Sequence, residues 1–248
     1  NNIKNDVHLA SISGGTDIVS CFIGGNPNQP VFAGEIQAKA LGMDVDIFDE
    51  EGKSIKQSKG ELVCKSTFPS KPIYFWQDKN NEKYFNAYFS KYKNTWHHGD
   101  YGEITINNGF IIYGRSDATL NSGGVRIGTA ELYRVVENII GIQESLAVEH
   151  RIKNDTEVIL FIKLHNRKKF NENLEIEIKN KIKTLLSPKH IPAKIFCIND
   201  IPKTKSGKIV ELTVKNIINN EEIKNLNSLI NPKSLSEYKK IAKELIFK

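Results

Sequence analysis

At 248 residues, with 39% apolar and 26% charged residues, the chain is long enough for one large core or two smaller ones. No run approaches the roughly 18 apolar residues of a membrane span, and the opening NNIKNDVHLA lacks the basic start and apolar centre of a signal peptide. Cys21, Cys64 and Cys197 are too few and too far apart for a disulfide framework or a zinc site, so a reducing cytoplasm is expected. With no initiating methionine, the sequence reads as a piece of a longer chain.

The net charge of +6 is unevenly held: 12 Lys+Arg against 14 Asp+Glu through Asp117, then 23 against 15 beyond it. Such a shift marks a domain boundary, and the basic half suits a polyanion, although solvated surface lysines account for most of it.

In chain order, a strand-like VHLASIS runs into Gly14-Gly15-Thr16-Asp17. Backbone amides, one hydroxyl and one carboxylate there suit a phosphate with its Mg²⁺, and equally make a tight turn. VFAGEIQA, MDVDIFDE and GELVCKS are short strands punctuated by glycines, which predicts a small β-barrel over residues 31–113. Its alternating Val45, Ile47, Leu62 and Cys64 are core positions. Tyr84, Phe85, Tyr88, Phe89 and Tyr92 are spaced as one buried helical face rather than a platform for stacking bases. His97 and His98 have no further Cys or His at ligand spacing, which argues against a metal site.

Residues 97–126, HHGDYGEITINNGFIIYGRSDATLNSGGVR, organise the rest. Asp100 precedes a strand Gly102–Ile106; Asn107-Asn108-Gly109 returns the chain as Phe110–Tyr113, so a β-hairpin is predicted. Gly114-Arg115-Ser116-Asp117 and a polar loop with Gly123, Gly124 and Arg126 follow. An acid to accept from ribose hydroxyls, arginines to fork onto oxygens and glycines that admit a ligand suit a sugar phosphate. An ordinary surface hairpin with a glycine loop fits the same residues.

Beyond lies an α+β unit. Thr129 is placed as a helix cap with Glu131 in the first turn and Leu132, Val135, Val136, Ile139 and Ile140 as the apolar stripe. LAVEH, EVILFIKL and AKIFCIND read as strands, Leu174, Ile178, Ile182 and Leu185 as a second helix, and IVELTVKNII as a third. A loose connection over 219–235 leads to a last helix, 235–247. Pro202-Lys203-Thr204-Lys205-Ser206-Gly207-Lys208-Ile209 forms a turn that is either a basic patch or half of a phosphate loop; it lacks P-loop spacing.

GDYGEI, GRSDATLNSGGVRIG and PKTKSGKI, in this order and spacing, resemble the adenylate-forming acyl-CoA synthetase family. The text from SGGTDIVSCFIGG to NPKSLSEYKKI resembles its acetoacetyl-CoA synthetase branch over essentially the whole chain. The resemblance implies an α/β and α+β fold: residues 1–116 as the β-rich C-terminal portion of the large adenylating domain, and 117–248 as hinge plus a small mobile α+β domain. It implies that Lys208 catalyses adenylation with Arg126, that Thr16, Gly14, Gly15, Asp100, Arg115 and Arg126 bind ATP or AMP, and that Asp17 lies by the metal. Asp117 becomes the hinge, and Gly123, Gly124 and Lys183 the coenzyme A contacts. Ala118 and Asn121 stand where many relatives have an acid and a lysine, which affects loop contacts but not the hinge position.

ATP, Mg²⁺ and coenzyme A are the implied cofactors and co-substrates, with acetoacetate as the acid and neither nucleic acid nor membrane as partner. Glycine at 14 and 15, where acetyl-CoA synthetases carry tryptophan and glutamine, is expected to leave room for a longer acid. The family's Ser/Thr/Gly-rich phosphate loop is absent from these residues. Two other readings stay open: a ligase for another short-chain or 3-oxo acid, and a non-catalytic nucleotide- or CoA-binding module.

Overall fold

The computed structural model describes residues 6–153, 155–165, 169–223 and 226–246. The chain divides into two compact units, Asn1–Ser116 and Asp117–Lys248.

In the first unit, β1 (Ser13–Gly15), β2 (Ser20–Gly24) and β3 (Ala38–Lys39) form an antiparallel sheet in that order. The predicted opening strand contributes only Ser13 to it; Leu9 and Ile12 ahead of it are exposed. Four antiparallel strands, β4 (Val45–Phe48), β5 (Gly60–Cys64), β6 (Trp96–Ile104) and β7 (Phe110–Arg115), follow in the order β4-β5-β6-β7. This is a four-stranded sheet where a barrel is expected: β4 and β7 are its outer strands, and VFAGEIQA adds only an Ile36–Phe110 bridge at the start of β7 and the first residue of β3.

Val45 faces Cys64 and Ile47 faces Leu62 across the β4–β5 ladder. All four are buried with Ile18, Phe22 and Trp96 in one core, as period-2 alternation requires of a sheet with one packed face. The aromatic segment is less regular than its spacing suggests. Helix α1 (Glu82–Tyr88) ends before Phe89, and Phe85 points outward at 55% exposure. Tyr84, Tyr88 and Phe89 instead gather around Trp96, with Tyr88 stacked on it at a centroid distance of 3.7 Å. Asn107-Asn108-Gly109 makes the β6–β7 turn: Asn108 takes φ +59°, and Thr105 N–H donates to Gly109 O at 2.9 Å.

The second unit opens with a short hairpin, β8 (Leu120–Ser122) and β9 (Val125–Ile127), turning at Gly123-Gly124. Helix α2 (Thr129–Val136) precedes the long antiparallel pair β10 (Ile142–Ile152) and β11 (Asp155–Leu164); after α3 (Glu172–Leu185), β12 (Lys194–Cys197) adds in parallel to β11. Helices α4 (Glu211–Ile218) and α5 (Leu235–Ile246) complete the unit.

Strand alternation splits the apolar residues of β11. Val158, Leu160 and Ile162 pack with α2 and α3, while Ile159 and Phe161 pack with α4 and α5, giving two cores on opposite faces of one sheet.

Local expectations shift by small amounts. Gly128, not Thr129, is the N-cap of α2, and its N–H donates to the Glu131 carboxylate at 2.9 Å, so Thr129 is the buried first helical residue. Ile140 and Leu185 are exposed: α2 ends at Val136, before Ile140, and Leu185 is the last residue of α3. The connection over 219–235 is tied down by the buried Leu229 and by a bridge from Leu229 to Thr204. Lys224, Asn225 and Phe247 of these predicted segments lie outside the described residues. Among the described residues no helix is long and apolar enough to cross a membrane.

Candidate nucleotide and acyl-transfer site

In the first unit the candidate residues meet where β6 and β7 leave their hairpin. Asp100 sits opposite Arg115 in the ladder, so adjacent strands supply both charges. The Arg115 guanidinium donates to Asp100 Oδ1 at 3.2 Å and to the His98 carbonyl at 2.9 Å. Gly99, at φ +80°, makes this possible: a Cβ there would come within 2.6 Å of Arg115 Nη2.

His98 links this pair to the Gly14–Asp17 turn. Its Nδ1 accepts from Trp96 Nε1 at 3.3 Å, so the neutral ring carries its proton on Nε2, which faces Asp100 Oδ2 at 3.9 Å and the Gly14 backbone. Burial holds the imidazole below its usual pKa, outweighing the nearby Asp100 and Asp17 charges. Asp17 accepts from the buried Tyr88 hydroxyl, whose own pKa is pushed up by burial and by that carboxylate. Thr16 and Asp17 are exposed at the turn.

The two glycines of this turn are set by crowding. A Cβ on Gly14 would overlap Ser20 O and Cys21 Cα, and one on Gly15 would overlap Asp17 Oδ1 and reach within 2.6 Å of His98 Cε1. The vacant volume expected at position 14 is therefore filled by the backbone of β2.

Glu61, fully buried on β5, faces Tyr101 of β6 in the ladder. It accepts from Lys91 Nζ at 2.6 Å, is joined to His97 Nε2 at 3.0 Å and accepts from Ser116 Oγ. Burial alone would raise its pKa; these hydrogen bonds overcome it and hold the carboxyl well below the usual range.

In the second unit, Gly123 and Gly124 make the exposed β8–β9 turn, both at positive φ, with Lys189 Nζ within 2.6 Å of the space a Gly123 Cβ would take. Arg126, on β9, donates from Nε to Thr119 Oγ1 at 3.0 Å. Asp117 is exposed in the single helical turn Ser116–Ala118 where the two units meet in sequence. Lys183 is exposed on α3 beside the buried Ile182.

Lys208 sits in a tight loop closed by Thr204 N–H to Lys208 O at 2.8 Å and by Lys208 N–H to Thr204 Oγ1 at 3.1 Å, with Gly207 at φ +82°. Lys203 is tied to Glu144. Lys208 is exposed, and among the described residues no hydrogen bond or ion pair engages its ammonium.

Sequence reasoning missed His98, Tyr88, Trp96 and Glu61. The buried His-Gly-Asp run on a strand was the available signal for His98; the others become visible only through contacts between distant segments.

The chain is 52% identical over 233 residues to acetoacetyl-coenzyme A synthetase of Rhizobium meliloti, a match covering 94% of this chain and 36% of the relative. The acetoacetyl-CoA synthetase structure from Streptomyces lividans superposes with a TM-score of 0.88 at 37% identity, over 95% of this chain and 36% of that one. By sequence and by fold the chain belongs with the acetoacetyl-CoA synthetases. It spans about 36% of the length of these relatives. A benzoate CoA ligase from Burkholderia xenovorans shares the fold at a TM-score of 0.70 and 23% identity, over 83% of this chain and 40% of its own. No protein-family model matches the chain.

Proposed function

We propose that the protein containing this chain activates acetoacetate with ATP and passes the acyl group to coenzyme A. The observation that carries this reading is the exposed, unengaged Lys208 ammonium on a loop closed at both ends, in a homologue of acetoacetyl-CoA synthetases.

In the first step a carboxylate oxygen of acetoacetate attacks the α-phosphorus of ATP, the bond to the β-phosphate oxygen breaks, and pyrophosphate leaves with its electron pair. Two anions must approach, so cations are the main requirement. Lys208 supplies a compact point charge between carboxylate and α-phosphate, and Arg126 a second cation. Asp100, oriented by Arg115 and His98, accepts from the ribose hydroxyls, and Thr16 donates to the α-phosphate.

Mg²⁺ bound with ATP would neutralise charge on the phosphates. Among the described residues no group of three acidic, His or Cys side chains could hold a metal, but Asp17 offers one exposed carboxylate, which fits an ion that takes its other oxygens from phosphate and water.

In the second step the chain turns about Asp117, and the coenzyme A thiolate attacks the carbonyl carbon of acetoacetyl-AMP, expelling AMP. Gly123 and Gly124 leave the pantetheine path clear, and Lys183 meets a phosphate of the coenzyme. The choice of acetoacetate rests on the homologues, since position 14 is filled by backbone and does not lengthen a pocket.

ATP–pyrophosphate exchange by the full-length protein with acetoacetate, acetate and butyrate tests this reading. Preference for acetoacetate supports it; exchange with no acid sinks it.

A further inference from the structure

The loop bearing Lys208 is short, polar and exposed at its tip, so something outside it must fix where the ammonium is presented. The segment just ahead of α5 does this. Thr204 bridges Leu229, Ile230 N–H donates to Lys203 O at 2.9 Å, and Lys205 N–H donates to Ser228 O at 3.0 Å. The strand entering the loop is thus paired on both sides, with Ile209 across the turn and with Ser228–Ile230 on the outside. Leu229 is buried in the core shared with α4 and α5, so this outer strand is itself anchored.

Asn231 ends that strand and gathers three bonds. Its Oδ1 accepts from Lys203 N–H at 2.9 Å, and its Nδ2 donates to Ile201 O at 2.8 Å and to the Asp200 carboxylate. A side-chain amide supplies the one acceptor and two N–H donors that these three bonds need, which a carboxylate, an ammonium or a single hydroxyl does not. Asp200 is held in turn by Lys163 at 2.7 Å, and Lys203 by Glu144. The base of the loop therefore cannot shift without breaking several polar contacts at once.

We infer that Asn231 is a positioning residue for Lys208: it locks the base of the lysine loop, so that the ammonium is presented in a fixed place for adenylation. This rests on the ligase reading above for its chemistry, but not for its geometry.

The test uses the full-length protein with Asn231→Ala and, as a conservative partner, Asn231→Gln. A loop displaced by an ångström costs on the order of ten- to a hundredfold in a step that depends on positioning. Asn231→Ala is expected to lower kcat of ATP–pyrophosphate exchange by that factor with KM for ATP little changed. Thioester formation from supplied acetoacetyl-AMP should stay within about twofold, because the lysine is not needed there. Asn231→Gln should recover part of the loss. Backbone amide exchange at Lys203, Lys205 and Lys208 should speed up in Asn231→Ala, whether or not the protein is a ligase.

Equal losses in both half-reactions, or unchanged exchange kinetics, would overturn the inference. So would unchanged amide protection in the loop. Absence of pyrophosphate exchange in the unmodified protein would instead count against the ligase reading, leaving amide protection to judge the brace by itself.

Discussion

In the proposed mechanism Lys208 is the residue on which adenylation turns. Its exposed ammonium has no partner among the described residues, so removing it costs the fold little. Lys208→Ala is expected to abolish pyrophosphate exchange while leaving thermal stability within about 0.5 kcal/mol, as for other surface substitutions. A mutant with normal exchange would remove the lysine from the mechanism.

Two buried titrating groups in the first unit make contributions of the same sign to acid sensitivity. Glu61 has its pKa depressed, so its stabilisation is complete above the unfolded carboxylate value of 4.5 and is lost as pH falls below that. His98 is also depressed, here by burial: the unfolded state takes up a proton near pH 6.5 that the folded state refuses, so stability falls as pH drops from there. Denaturant melts of the wild type between pH 7 and 4 should therefore show a fall beginning near pH 6.5 that is flattened in His98→Gln. A pH profile identical in the two would contradict the burial argument.

At the scale of elements, the second unit depends on a sheet filled on both faces. Ile178, fully buried on α3, packs against Leu160 and Ile162 in one of its cores. Ile178→Ala should cost about 2–5 kcal/mol, a large part of the ~5–15 kcal/mol typical of a domain, read as a lower urea midpoint. In the first unit a further sensitive point is the glycine turn beside His98. Gly15→Ala would force a methyl against Asp17 and His98, displacing His98, one of the two groups that orient Asp100. It should weaken nucleotide binding more than it lowers the melting temperature, as calorimetry with AMP would show.

At the scale of the molecule, residues 117–248 carry two buried clusters of their own, one on each face of the β10–β11–β12 sheet. Cores of that extent support independent folding. The isolated segment is expected to give a cooperative urea transition and dispersed amide resonances; a molten spectrum would show that it needs the first unit. Asp117 is the sequence junction between the units, and Asp117→Pro would fix its φ near −65°. If the half-reactions need different orientations, one of them should fall at least tenfold relative to the other.

The order of elements and the β6–β7 hairpin were legible in the sequence, because turn chemistry and strand alternation are local properties; Asp100, Arg115 and Lys208 stood out as candidates only through the family resemblance of the motifs that carry them. The depth of burial was less so. Phe85, Ile140 and Leu185 match a helical stripe in spacing yet face solvent, since a stripe says nothing of where the neighbouring sheet ends. Gly14 shows the same limit: sequence indicates a missing side chain, but only the packing of β2 decides whether the space is open or filled. Asn231, 23 residues from Lys208 in sequence, shows it most clearly. Its amide carries no distinctive local pattern, and it matters because two chain segments pair in space. Residue type and local periodicity determined which elements form and which chemical groups this chain offers; long-range strand pairing and close packing decided which of those groups are held in place.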